Sequence, residues 1–538
     1  MTARTRTDVL LLAGFCAFLF FYGMGSFGLI GADEPRYAQV AREMLEHRDW
    51  ITPTLAGRAW LEKPPLYYWQ AMLAYSMLGV SDTAARLPSA VDATLLVVAV
   101  YLFFRRFRRG VEVDAALITA SCAGIVGYAR AAAMDMPLTT TFAIGMLAWW
   151  GWRESEKKIY LALFYAFIAL GTLAKGPVAP VLAAAIIVLF AAATREWRVI
   201  LKTAWLPGIA LFCAIALPWY IAVQLRNPQF FREFILEHNL ARFSSNLYHH
   251  PEPFWYYVPV ILVALVPWTV FIIVAFVQTV RLCWAERKSL PSEPDFEFQF
   301  TLFASLWLIV PVAFFTLSQS KLPGYILPAI PAGALLLAQY LHQQLENAQP
   351  FSKWIALVHA LVASAPMIPA ALVAYIVTQH HLPTGRPLYF ALAIAMTLCI
   401  AVLLTLLSKI GLRMLRFVTL IPVVLAVAAV LKLGTTAIDQ TLSARPLAIE
   451  LAAVETQKLP VAICGASREL EFGLAFYRNQ TIARYESGDV TPQEHLLIAA
   501  PTWKAAIADH TTGRRVSFLG HNAPQNVDYY WVSALKTP

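Results

Sequence analysis

The sequence predicts a mostly α-helical, polytopic membrane bundle of about thirteen spans, followed by a small α/β domain outside the membrane. Three observations carry this. The 538 residues are 59% hydrophobic and only 14% charged, whereas a soluble domain carries about a quarter charged residues. Apolar stretches near twenty residues, long enough to cross a bilayer, recur from end to end. Beyond residue 433 the texture changes to short β-like runs.

The spans read as 9–29, 84–104, 114–129, 136–152, 160–174, 177–193, 204–224, 254–279, 300–317, 325–341, 354–378, 388–407 and 417–433. The first lacks a small-residue cleavage site and leads into a charged helix, so it reads as a retained span. Between the spans, Lys and Arg concentrate in alternate loops: Arg4 and Arg6, RRFRR (105–109), RESEKK (153–158), TREWRVILK (194–202), RLCWAERK (281–288) and SKIGLRMLR (408–416). The positive-inside rule makes that side cytoplasmic, with the C-terminus outside. The net charge of +9 therefore answers to topology and does not call for nucleic acid. Six scattered cysteines without CxxC spacing suggest neither a disulfide framework nor a zinc finger.

This topology gathers unusual residues on the outer face. DEPRY (33–37), LEKPP (61–65), RAAAMDMP (130–137), AKGP (174–177), EHNLARF (237–243) and SKLPGY (320–325) all fall there. Two of these lie in long polar segments, about 30–83 and 225–253, where PPLYYWQAMLAY and PEPFWYY suit interfacial helices. Ionisable groups near a bilayer are costly, and are usually paired or functional. Asp33, Glu34, Glu62, Lys63, Asp135, Lys175, His238, Arg242 and Lys321 can share this face. A proline follows Lys63, Lys175 and Lys321 within two residues and stiffens the backbone there. Lys and Arg at the mouth of a membrane cavity suit a phosphate. The carboxylates can serve as general base, metal ligand or partner to the cations. A simpler reading of DEPRY is helix capping, with Pro35 the first helical residue and an acid before it as cap.

After residue 433, LPVAICGA (459–466), HLLIAA (495–500), RRVSFLG (514–520) and VDYYWVSAL (527–535) read as strands, with a helix at 467–478. The expected domains are thus 1–433 in the membrane and 434–538 outside it. GASREL lacks both GxGxxG and GxxxxGK spacing and is no phosphate loop.

DEPRYAQVAREMLEHRDW followed by LEKPPLYYW resembles the first outer loop of bacterial aminoarabinose transferases. These belong to the polyprenyl-phosphate-sugar glycosyltransferases of GT-C fold, related to protein O-mannosyltransferases. The likeness continues through RAAAMDMPL, TLAKGP, FILEHNLARF and SKLPGYILP. It implies a sugar donor on a polyprenyl phosphate such as undecaprenyl phosphate, with Lys63, Lys175 and Arg242 at the phosphate. It also implies Asp33, Glu34 and Asp135 as catalytic candidates. Arg36, Tyr37, Tyr67, Lys321 and Tyr325 are the substrate contacts. Glu62 and His238 match positions that bind a divalent metal, expected to be zinc, and two ligands need water or a further side chain to complete the set.

The expected reaction is inverting displacement at the anomeric carbon, delivering sugar to a cell-envelope acceptor such as lipid A phosphate, by a monomer in the bacterial inner membrane with its site facing the periplasm. Asp33 is general base if the acceptor is a hydroxyl, and an orienting carboxylate if it is a phosphate. An O-mannosyltransferase-like enzyme acting on Ser or Thr is the alternative. A transporter would place its charges near the midplane in repeated, broken helices, and no repeat is visible. A lipid-phosphate-binding protein would need the cations but not Asp33.

Overall fold

The computed structural model describes residues 3–241, 252–286, 296–347, 352–368, 370, 386–408 and 411–535. It is mostly helical, with a small sheet near the C-terminus, as expected. Among the described residues, six helices are long and apolar enough to cross a membrane: Asp82–Phe107, Lys158–Lys175, Leu206–Arg226, Phe296–Thr316, Pro323–Leu345 and Leu415–Leu442. Two bent pairs raise the number to as many as eight.

Several expected spans are interrupted, each for a local reason. The stretch expected at 9–29 is helix Ala3–Cys16 and a π-turn Ala17–Phe21. Arg130 ends it by donating to the carbonyls of Leu19 (3.0 Å) and Tyr22 (2.9 Å), which satisfies acceptors the last turn leaves open. Residues 114–129 break at Cys122, where Glu112–Ser121 and Ala123–Ala129 meet at 65°. Tyr257–Ala264 and Thr269–Glu286 meet at 113° around Pro267, a residue that cannot donate to the helix ladder. Of the stretch expected at 354–378, helix Lys353–Ser364 is described, while 369 and 371–378 lie outside the described residues.

The chain forms two compact units: Met1–Tyr22, Leu61–Tyr67 and Leu87–Val430 in the first, and Gly23–Trp60, Tyr68–Arg86 and Leu431–Pro538 in the second. The first is built on helix Asp135–Ser155, buried along nearly all its length between its neighbours. Its lower half anchors an aromatic core. Trp149 and Trp150 stack on Phe303 with ring centroids 5.4 and 4.9 Å apart. Their indole N–H groups reach Thr203 Oγ1 (3.0 Å) and Glu154 Oε1 (2.6 Å), so neither buries an unmet donor.

The second unit contains a five-stranded sheet, order β4-β3-β5-β7-β6: β3 Val461–Cys464, β4 Ala483–Arg484, β5 His495–Ala499, β6 Val516–Asn522 and β7 Val527–Val532. Strands β4, β3 and β5 run parallel, and β7 is antiparallel to β5 and β6. Every residue of β3 and β5 is buried, because both faces are covered. That is why they read as continuous apolar runs. The expected helix is Arg468–Arg478, capped by Ser467, whose Oγ accepts from Leu470 N. The two-residue β4 carried no signal in sequence. Helix Asp33–His47 packs on this helix, with Arg42 donating to the Phe476 carbonyl at 3.1 Å. A tight hairpin of β1 Thr54–Leu55 and β2 Arg58–Ala59 follows it.

Trp149→Ala is expected to lower the stability of the purified protein by about 3–5 kcal/mol, since it opens a cavity and removes four ring contacts. A thermal melt in detergent reads this directly.

Candidate functional site

The helix Asp33–His47 starts two residues earlier than a reading with Pro35 as its first residue implies. Ala32 stands at the cap and makes no side-chain capping bond. Asp33 and Glu34 therefore occupy the first turn, where the helix dipole favours negative charge. Their environments then diverge.

Glu34 is 6% exposed and Arg86 is fully buried. Arg86 Nη2 donates to Glu34 Oε2 at 2.7 Å and its Nε to Oε1 at 3.3 Å. The remaining donors of Arg86 reach the carbonyls of Met24 (2.9 Å), Phe27 (2.8 Å) and Gly28 (2.8 Å). Glu34 Oε2 also accepts from Ile30 N at 2.9 Å. One ion pair thus fastens the whole approach to the helix.

The same approach is held from the C-terminal residues of this unit. Tyr477 Oη accepts from Leu29 N (2.6 Å) and donates to Asp82 Oδ1 (2.6 Å). Asp439 Oδ1 accepts from Gly28 N at 2.8 Å, and Arg445 bonds Asp439 and Asp82. Gly28 is needed here: a Cβ would lie 2.2 Å from Ser443 Oγ and 2.5 Å from Tyr477 Oη. Burial, with Asp82 beside it, pushes the Tyr477 phenol well above its ordinary range, so it stays a donor.

Asp33 is different: 52% of its side chain is exposed. Its Oδ1 accepts from Arg36 Nη2 at 2.5 Å. Arg36 is itself enclosed by the rings of Tyr37, Trp60 and Phe472, whose centroids are 5.1, 5.3 and 5.5 Å from its guanidinium carbon. An immobilised cation thus holds a carboxylate that water can reach.

In the first unit, Asp135 opens helix Asp135–Ser155 and Lys175 ends helix Lys158–Lys175, each at the terminus its charge prefers. The two side chains form an ion pair. The Tyr325 ring closes over Lys175 Nζ at 4.6 Å. Gly324 lets its backbone approach: a Cβ there would lie 2.6 Å from Asp135 Oδ1 and 2.7 Å from Tyr128 Oη. Tyr257 Oη bonds both the N–H and the carbonyl of Leu322 at 3.2 Å, which fixes the SKLPGY turn. Beside the SKLPGY turn lies an apolar groove of about 410 Å³, lined by Tyr128, Pro323, Val260, Val263, Ile326 and Ile330.

The structure therefore brings Asp33, Glu34, Arg36 and Tyr37 together in one unit, and Asp135, Lys175 and Tyr325 in the other. Lys321 is buried and donates to the Glu252 carbonyl at 3.2 Å. Glu62 and Lys63 are half-buried in the turn before helix Leu66–Leu78, and Tyr67 is fully buried in that helix. His238 belongs to the π-helix Phe231–Ala241, but its side chain, like the whole of Arg242, lies outside the described residues. No three His, Cys, Asp or Glu side chains gather as a metal set among the described residues.

Residues 7–232 match the family of dolichyl-phosphate-mannose-protein mannosyltransferases. The chain is 32% identical over 350 residues to the undecaprenyl phosphate-alpha-4-amino-4-deoxy-L-arabinose arabinosyl transferase of Pseudomonas aeruginosa UCBPP-PA14, covering 64% of this chain and 61% of that protein. With enzyme 2 of that name from Pseudomonas fluorescens Pf-5 it shares 29% identity over 366 residues, 67% of this chain and 60% of the relative. The chain thus spans about 60% of the length of these curated relatives. The crystal structure of ArnT from Cupriavidus metallidurans bound to undecaprenyl phosphate superposes with a TM-score of 0.77 at 21% identity, over 98% of this chain and 99% of that one. Its apo state gives 0.75 at 20% identity, over the full length of both.

The fold and these similarities define a multi-span membrane protein of the ArnT fold. The resemblance carried by DEPRY and EKPP holds: the chain is similar to bacterial aminoarabinose transferases, and its first 232 residues to protein mannosyltransferases.

Arg86→Met strands a buried Glu34 carboxylate, and losing one partner of such a pair costs about 3–5 kcal/mol. The thermal midpoint in detergent is expected to fall sharply for Arg86→Met, and Glu34→Gln to move in the same direction. An unchanged midpoint would show the pair to be dispensable.

Proposed function

We propose that this chain is a membrane glycosyltransferase that moves a sugar from polyprenyl (undecaprenyl) phosphate to a cell-envelope acceptor such as lipid A phosphate, with inversion. The observation that supports it best is the Lys175–Asp135 pair under the Tyr325 ring, reached by the Gly324 turn, whose neighbours Pro323 and Tyr128 line an apolar groove. A prenyl chain fits an apolar channel, and its phosphate meets a cation where the channel turns polar. Lys63 and Arg242 are the further phosphate ligands in this reading. Asp135 serves to hold Lys175 in place and Glu34 to hold Arg86. Arg36, Tyr37, Tyr67, Lys321 and Tyr325 line or support the substrate sites.

In the reaction the acceptor oxygen attacks the anomeric carbon. The bond from that carbon to the phosphate oxygen breaks, and polyprenyl phosphate leaves with the electron pair. Lys63, Lys175 and Arg242 stabilise the charge it gains, a contribution of several kcal/mol in a site closed to water. With a hydroxyl acceptor, the proton passes to Asp33, the water-accessible carboxylate. With a phosphate acceptor, already ionised, Asp33 orients the incoming group. The similarity of residues 7–232 to protein mannosyltransferases favours a second reading with a protein hydroxyl as acceptor. Glu62 and His238 are the residues that would hold a divalent ion such as zinc, and the His238 side chain lies outside the described residues. In this reading the protein acts in the inner membrane as a monomer, with DEPRY, EKPP and residues 434–538 on the periplasmic side.

Asp33→Asn removes the charge and the proton acceptor while keeping a polar side chain of the same shape in the first helical turn. The variant is expected to fold normally and to lose roughly 100-fold or more in transfer rate, the range for lost acid–base help. Transfer from a purified polyprenyl-phosphate sugar to lipid A and to a Ser/Thr peptide, read by mass spectrometry, checks the rate and decides the acceptor. Near-normal turnover would remove Asp33 from the chemistry.

Topology has its own test. Arg108 is paired to Glu154 and mostly buried, so the exposed Arg109 is the better reporter. Arg109→Cys is expected to resist an impermeant thiol reagent in intact cells, above the background of the six native cysteines. Labelling from outside would reverse the orientation.

A further inference from the structure

Far from the outer-face motifs in sequence, the loops RESEKK and TREWRVILK fold into a second concave site, on the side that the Lys and Arg loops mark. A cavity of about 560 Å³ is lined by Trp152, Arg153, Glu156, Arg195, Glu196, Trp197, Arg198, Val199 and Lys202. Its floor is apolar and sealed: Trp152 and Val199 are 5% and 4% exposed. Its wall is a closed polar pair, in which Arg153 bonds Glu196 and both reach Gln299, at 3.2 and 2.9 Å. Glu196 is therefore already committed.

The rim is not. Arg195, Arg198 and Lys202 are exposed and make no ion pair among the described residues, with Glu156 the one uncommitted carboxylate in the lining. Arg198 and Lys202 stand four apart on helix Arg198–Thr203 and share one face. Trp197 and Leu201, also four apart, form the adjacent stripe and are 57% and 77% exposed. Leu206, which opens the next helix, Leu206–Arg226, is 79% exposed. Topology accounts for cations on this side, and interfacial anchoring for exposed Trp197 and Leu201, but neither accounts for a cavity between the cations.

We infer that this cavity binds the headgroup of an anionic glycerophospholipid, with its phosphate on Arg195, Arg198 and Lys202 and its acyl chains along Trp197, Leu201 and Leu206. The volume suits a headgroup, and basic pockets at the cytoplasmic surface attract anionic lipid. A free phosphate would satisfy the cations equally, but would leave the apolar stripe uncovered.

The test is lipid retention by native mass spectrometry of the full chain, taken from nanodiscs of equal phosphatidylglycerol and phosphatidylcholine. The wild type is expected to keep phosphatidylglycerol at least about tenfold in preference. R195Q/R198Q/K202Q should abolish the preference, and W197A/L201A should reduce retention of phosphatidylglycerol while the cations remain. Equal retention of the two lipids by the wild type overturns the proposal, whether or not the variants fold. So does an unchanged preference in the triple glutamine variant. Complete displacement of phosphatidylglycerol by millimolar inorganic phosphate, or full retention by W197A/L201A, would overturn the lipid assignment in favour of a simple phosphate site.

Discussion

Glu34 and Arg86 are both sealed from water, and neither charge is tolerable there without the other. Their pairing does more than neutralise. The guanidinium has donors to spare, and they reach the carbonyls of Met24, Phe27 and Gly28. That stretch has no helix or strand to satisfy its backbone, so the arginine stands in for a partner strand. The opposite edge of the same stretch is met by Tyr477 and Asp439, which take the N–H groups of Leu29 and Gly28. The loop ahead of helix Asp33–His47 is thereby fixed from both sides. Everything proposed for Asp33 depends on that helix starting where it does.

The cluster in the other unit follows the same electrostatic rule with a different outcome. Asp135 and Lys175 neutralise one another at two helix termini, and the Tyr325 ring closes over the cation. A neutral pair costs less to keep near a lipid environment than a bare cation would. In the proposed reaction the donor phosphate competes with Asp135 for Lys175. This calls for more than one cation, which is consistent with the proposed shares of Lys63 and Arg242. The pair also explains why Gly324 is a glycine: the turn must pass within van der Waals reach of the Asp135 carboxylate.

Much of the fold was legible because it rests on periodicity and burial. The apolar helices, the C-terminal strands at 461–464, 495–499, 516–522 and 527–532, and the helix capped by Ser467 all follow from patterns in the chain. The breaks at Cys122 and around Pro267 were less visible, because an apolar run reads the same whether it is straight or bent. Strand β4 is two residues long and owes its existence to the edge of β3. Arg86 was the chief omission among site residues. Its signal was present: an arginine in SDTAARLPSAVDATLL, in a helix apolar enough to cross a bilayer, calls for a buried acid. Its partner, however, lies 52 residues away and was read as a catalytic candidate. Tyr477 and Arg445 had no comparable signal, since their value comes only from the loop they reach across the fold.

What distinguishes Asp33 from its neighbour is access, not charge. Two adjacent carboxylates in one helical turn have been given opposite surroundings, Glu34 enclosed and Asp33 half-open. A group that must exchange a proton or touch a substrate needs a free oxygen and a fixed direction. A group that builds a loop needs neither. Asp33 has both: one oxygen is occupied by Arg36, which three rings immobilise, and the side chain remains open to solvent. A helix cap would require only a short polar side chain at the first turn, and here Ala32 occupies the cap position without one. The helix therefore starts without a side-chain cap from Asp33, and its carboxylate remains available for work that a cap would not need.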